Sequence, residues 1–274
     1  MRETAPRFES PKLVWPDGKP APGAGIRFTI ATLVTDHAQY EAMRASFRAG
    51  GFAAPDCEWI KIDNTGAAQT DAFRGLNAAL AEARGAHVIL CHQDVRLLAD
   101  DRASLETCLA DLETRDPKWA VAGNAGGVAP GELALRISDP HGADRKVGTL
   151  PARVMSLDEN FLIVKRAHRV GFSADLEGFH FYGPDIVLNA AVAGYSAYVI
   201  DFHLMHLSGG VKGPSFFEAK DAFRAKWNKA FGTRWMQTTC ALVLLSGDAV
   251  GQIAGRIAER PYGKLMRRSR GWPG

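Results

Sequence analysis

From Ile26 to Ala122 the chain alternates short apolar, β-branched runs with longer stretches whose apolar residues recur at helical spacing. No other feature restricts the fold as tightly. Ile26–Val34 (IRFTIATLV) is apolar almost throughout, as a strand covered on both faces is. A helix is predicted over 38–49, closed by Gly50 and Gly51, and a strand over Cys57–Asn64. The stretch 70–84 places Phe73, Leu76, Leu80 and Ala83 on one helical face, with Gly85 as a cap before the apolar run His87–Cys91. Leu105, Cys108, Leu109 and Leu112 mark a further amphipathic helix, and Trp119–Ala122 a further strand that runs into Gly123, Gly126 and Gly127. Such alternation predicts an α/β fold with a mostly parallel central sheet flanked by helices.

The flanks read differently. Residues 1–25 hold five prolines and a scatter of glycines, the composition of a leader outside the core. In the second half, strands are predicted at Gly131–Ser138 and Phe161–Val164, and a short helix at Pro184–Ala193. A helix is expected over Ser215–Phe231, with Ser215 and Glu218 as a capping box, and a last one over Ala249–Glu259 that stops at Pro261. The expected organisation is therefore a leader (1–25), a main domain (26–212) and a helical C-terminal extension (213–274).

Composition excludes several classes. A chain of 274 residues that is 46% hydrophobic buries a full core, and a net charge of +3 is too even for a protein that neutralises a nucleic-acid backbone. The four cysteines form no Cys-x-x-Cys pair, so a zinc ribbon is not read, and a reducing cytoplasm is the simplest setting. No secretory signal is read at Met1–Pro6, and the best apolar run, Cys240–Leu245, is far shorter than a membrane span. Residues 264–270 (KLMRRSR) carry four of the basic groups, and the rest of the chain holds 29 basic against 30 acidic residues. The excess is a tail, expected to be solvated or to make weak peripheral contact with the inner face of an anionic membrane.

In open α/β sheets ligands bind beyond the carboxyl ends of the strands, here Thr35-Asp36, Asp63-Asn64 and His92-Gln93-Asp94. A carboxylate at Asp94 can hold a divalent cation against phosphate oxygens, although aspartate in this place also serves as a turn former or cap. Asp185 follows Pro184 at a helix start, where the dipole alone stabilises an acid. His203 and His206 follow an apolar segment, and either could be a hydrogen-bonded core residue.

Taken together these residues resemble the family 2 glycosyltransferases of the GT-A fold, a Rossmann-like nucleotide-diphospho-sugar transferase fold. The similarity is greatest to the branch typified by the streptomycin-biosynthesis glycosyltransferase-like domain. It rests on Ile30–Val34, Asp63-Asn64, Gly75-Leu76-Asn77 with Ala83-Arg84-Gly85, and His92-Gln93-Asp94-Val95, followed by Gly178-Phe179-His180-Phe181-Tyr182 with Asp185, Gly194, and His206 with Ser208-Gly209-Gly210. It covers roughly 26–212.

The resemblance implies an inverting hexosyltransferase that moves a sugar from a nucleoside-diphosphate sugar to an acceptor hydroxyl with manganese or magnesium. Asp63 and Asn64 would face the nucleobase and ribose, and Asn77 and Gln93 belong to the same donor site. Asp94 and His206 would ligate the cation, Asp185 would be the general base, and His180 and Tyr182 would bond or stack on sugar. Two positions depart from the family pattern: His92 replaces the usual first acid and Pro184 the acid before the base. The expected metal shell is thinner for it, and Asp158, Glu159, Asp175 and Glu177 are rival carboxylates. A non-catalytic sugar-nucleotide or carbohydrate-binding module is the alternative. A nucleotidyltransferase is disfavoured because Thr35-Asp36-His37 is unlike a glycine- and basic-rich phosphate loop.

Overall fold

A computed structural model describes residues 8–21, 23, 25–53, 55–210, 213–237 and 242–269. In chain order the first elements are β1 (Leu13–Val14), β2 (Phe28–Val34), α1 (His37–Ala49), β3 (Cys57–Asp63), α2 (Ala72–Glu82), β4 (His87–Cys91), β5 (Val95–Leu97), α3 (Arg102–Arg115) and β6 (Trp119–Gly123). There follow β7 (Ala125–Ala129), β8 (Glu132–Asp139), β9 (Gly142–Val147), β10 (Ala152–Arg153), β11 (Ser156–Leu157), β12 (Phe161–Lys165), α4 (Tyr182–Val192), β13 (Ser196–Val199) and β14 (Leu204–His206). The chain continues through α5 (Pro214–Phe231), β15 (Arg234–Gln237), β16 (Leu242–Leu245) and α6 (Ala249–Ser269). Two compact units divide it, residues 1–220 and 221–274.

The first unit is mixed α/β. Among the described residues its main sheet has the order β1-β3-β2-β4-β12-β6-β13-β10. The strands read from the alternation pair in parallel, β3 on β2 and β2 on β4. Asp36, Asp71 and Asp101 start α1, α2 and α3, each accepting backbone N–H groups of the first turn. Trp59, Trp119, Phe28, Phe47 and Phe161 are fully enclosed in the core.

The sheet is less uniformly parallel than the alternation predicts. After β6 the chain builds a second sheet, β11-β7-β8-β14-β5 with β9 against β8, and re-enters the first from its carboxyl edge. As a result β12 runs antiparallel to both β4 and β6, and brings Asp158–Asn160 beside the end of β4. The His92 amide bonds the Asn160 carbonyl at 3.0 Å there.

Other boundaries shift for local reasons. Leu13 and Val14, inside the proline-rich leader, pair with Ile62 and Lys61 at the sheet edge, while residues 1–7, 22 and 24 lie outside the described residues. α5 starts at Pro214, a residue suited to a first turn, so Ser215 sits inside the helix and not at its cap. α6 runs through Pro261 instead of stopping there. Cys57, Cys91 and Cys108 are free thiols, and Cys240 lies outside the described residues.

Candidate metal centre

Three of the polar side chains at the carboxyl edge of the main sheet converge. His92 leaves β4, Asp94 precedes β5, and His206 ends β14. The antiparallel pairing of β5 with β14 sets His206 opposite Val95, and the Leu207 amide bonds the Asp94 carbonyl at 3.1 Å. Two residues far apart in the chain are thereby fixed side by side.

His92 Nδ1 lies 3.4 Å from His206 Nε2, which lies 3.4 Å from Asp94 Oδ1, and His92 Nδ1 lies 3.9 Å from that same oxygen. A triangle with these edges encloses a point about 2.1 Å from each corner, the length of metal–nitrogen and metal–oxygen bonds. The donor set of two imidazoles and a carboxylate therefore fits a divalent cation. His92, expected to mark a thinner shell, turns a ring nitrogen into the cluster.

The surroundings orient these donors. His92 Nε2 lies 2.7 Å from the Tyr182 hydroxyl, which donates to the Glu159 carbonyl at 3.2 Å. A carbonyl only accepts, so with both bonds made the phenol oxygen receives Nε2–H, and the Nδ1 lone pair faces the cluster. Tyr182 reaches this place because α4 packs closely on β11: a Cβ on Gly183 would collide with the Leu157 carbonyl. Phe181, just before it, adopts φ 65°, an uncommon left-handed conformation for a bulky residue. Ser208 Oγ sits 3.2 Å from His206 Nε2.

Electrostatics follow from this packing. Burial pushes the Asp94 carboxyl up, but the His206 hydrogen bond and the two imidazoles prevail and hold it down to about 2. His206 is raised because its Asp94 partner outweighs burial. Packing around the ring, and then the neighbouring His206, holds His92 below the usual histidine value, although its side chain keeps 39% exposure at the lip of the site. Glu159 is pushed up to about 8 by burial and then by the charge of Asp158, against amides from Gly183 and Phe181.

The other expected site residues are placed elsewhere or tied down. Asp63, at the end of β3, is held well below the usual carboxylate range by Thr65 at 2.8 Å and by Lys12 and Lys61 at 3.2 and 3.5 Å, against burial. Asn64 is buried, with both ends of its amide on the Thr70 backbone at 2.8 and 3.0 Å. Asn77 does the same to Phe172, at 2.9 Å on each side. Gln93 accepts the Thr35 and Asp36 amides and donates to the Thr35 hydroxyl, all at 2.9 Å, which joins the ends of β2 and β4.

Asp185, expected to take the acceptor's proton, is fully enclosed. It accepts the Ser173 amide and hydroxyl at 2.8 Å each and the Asn189 amide at 3.1 Å. His180 packs edge-on against Phe216, and His203 bonds Ser138 at 2.9 Å, away from the cluster. Two cavities of about 550 and 570 Å³, the first at the amino ends of β2 and β4, contain none of the cluster's residues.

The chain has a relative among curated proteins. The chain is 36% identical over 228 residues to the protein called "ATP synthase subunits region ORF 6" of Fuscovulum blasticum, covering 81% of this chain and 92% of that one. No family model matches. Among solved structures, the mannosyltransferase PcManGT from Pyrobaculum calidifontis in complex with GDP-Man and Mn2+ aligns over 79% of this chain and 68% of its own, at 14% identity and a TM-score of 0.49. A197 from STIV aligns over 66% of this chain and 85% of its own, at 11% identity and a TM-score of 0.40.

Proposed function

We propose a chemistry for a chain that belongs to the family of the Fuscovulum blasticum ATP synthase subunits region ORF 6 protein: inverting transfer of a sugar from a nucleoside-diphosphate sugar to an acceptor hydroxyl, on a GT-A fold. The observation that carries this reading is the convergence of His92, Asp94 and His206, with ligand atoms all within 4.8 Å of one another, at the carboxyl edge of an α/β sheet. The His-Gln-Asp-Val motif supports the branch resembling the streptomycin-biosynthesis domain.

In this reading the three residues hold a divalent cation. When bound, the cation supplies positive charge against the diphosphate leaving group. Two imidazoles favour manganese over magnesium, which prefers an all-oxygen shell. Asp63 remains the candidate for the nucleoside, while Asn64, Asn77 and Gln93 shape the loops around it through the backbone. For proton removal we put Asp158 ahead of Asp185. Asp158 is exposed and its charge acts on both His92 and His206, whereas the Asp185 carboxylate is enclosed and holds the 171–173 loop. Tyr182 orients His92, and His180 is kept as the residue that bonds or stacks on sugar. Inversion follows from a single displacement. The binding-module alternative drew on His92 as a lost acid, and a ring nitrogen aimed into the cluster removes that support.

The reading extends to a cytoplasmic location, with the basic stretch 264–270 meeting the inner membrane face. A thermal-shift screen of nucleoside diphosphates with and without manganese tests the site, because a ligand that binds only the folded chain raises its melting temperature. One nucleotide should stabilise in manganese and fail in EDTA, and the matching nucleotide sugar should then be hydrolysed or transferred. Equal stabilisation in EDTA, or none from any nucleotide, overturns the proposal.

A further inference from the structure

The second unit, residues 221–274, contains the β15–β16 hairpin and α6. α6 turns small and polar residues toward the hairpin. Gly255 is buried, and a Cβ on it would meet the Leu244 Cβ at 2.8 Å. Glu259 accepts the Leu244 amide at 3.2 Å, and Tyr262 stacks on Trp235 with ring centroids 4.7 Å apart.

The opposite face carries the bulky aliphatic side chains. Val250, Ile253, Ile257 and Leu265 are 78%, 62%, 72% and 62% exposed. At about 100° per residue they share an arc of about 120°. Arg256, Arg260 and Lys264, all exposed, follow one another at successive turns, the two arginines just outside one edge of that arc and Lys264 just inside it. Glu259 is the only acid in the α6 sequence, and it is engaged by the hairpin.

We propose that α6 lies in the interface of an anionic lipid bilayer, its aliphatic row among the acyl chains and its basic flank against the headgroups. Charge complementarity selects this occupant: an aliphatic row edged by cations and free of anions matches a surface that is apolar below and negative above. Among the described residues no helix is long and apolar enough to cross a membrane, so α6 lies on the surface. The inference deepens the membrane contact proposed above for 264–270 and rests on the second unit alone, so it does not depend on the chemistry proposed for the metal centre.

Co-sedimentation of the full chain with lipid vesicles tests it. The chain should pellet with vesicles of equal parts phosphatidylglycerol and phosphatidylcholine, remain in the supernatant with phosphatidylcholine alone, and be released by high salt. Arg256→Gln, Arg260→Gln and Lys264→Gln should each weaken partitioning about fivefold. The pair Ile253→Asn and Ile257→Asn should weaken it at least about tenfold, with circular dichroism unchanged because both sites are exposed. A chain that stays in solution with both vesicle types, or pellets equally with both, overturns the proposal. So does a dimer in sedimentation velocity that Ile253→Asn dissolves, which would assign the face to a second copy.

Discussion

The polar residues at the carboxyl edge of the sheet form two groups that look alike in sequence and differ in their partners. Asn64, Asn77, Gln93 and Asp185 bond backbone amides and carbonyls of neighbouring loops. His92, Asp94 and His206 instead turn ring nitrogens and a carboxylate toward one another. A side chain whose lone pairs are taken by backbone amides holds a loop in place, and its removal costs stability. Acceptors gathered around a common point, with His92 steadied from behind by Tyr182, are available to a ligand.

Exchanging one carboxylate in each group gives the largest contrast. Asp94→Asn should lower manganese affinity by more than the roughly 10- to 100-fold typical of a residue behind a ligand, read by isothermal titration, with little change in unfolding by urea. Asp185→Asn should leave manganese affinity within about twofold and lower stability by about 3 kcal/mol, since it places an amide N–H against the Ser173 and Asn189 donors. If the two variants exchange phenotypes, the division between the groups fails.

A smaller effect sharpens the boundary. Tyr182→Phe removes the hydroxyl behind His92 and should weaken manganese about 10- to 100-fold. An unchanged affinity would place Tyr182 with the packing residues.

A further effect is one of pH. The folded Glu159 carboxyl is raised from 4.5 to about 8, so the stability it contributes is fully present below its ordinary value and is lost as pH climbs through about 8. Glu159→Gln stays neutral throughout. It should therefore match the parent near pH 4 and be the more stable of the two near pH 9, read as the difference in urea midpoints. A parent whose stability rises between those values relative to the variant contradicts the assignment.

Much of the fold is legible because strand and helix periodicity are local. The elements β2, α1, β3, α2, β4, α3 and β6 fall within a few residues of their expected places. The second sheet is not legible in the same way. β5, β11 and β14 are two or three residues long, too short to carry a period, and they exist through pairing with distant strands. The Pro261 boundary failed because proline disfavours a helix interior without forbidding it. At the candidate metal centre, Asp94 and His206 are named by the family resemblance. His92 reads as a missing acid, since its value as a ligand depends on which way the ring points and on what stands behind it.

From local pattern alone the chain determined its element types, the apolar positions of its core and the strand ends where polar residues collect. Only the tertiary structure decided which of those polar residues meet one another and which meet the backbone. That choice depends on register, β5 on β14 through Val95 opposite His206, and β4 on β12 through Cys91 opposite Phe161. A slip of one residue in either ladder would turn these side chains to the other face, and no tight turn joins either pair of strands to fix it locally.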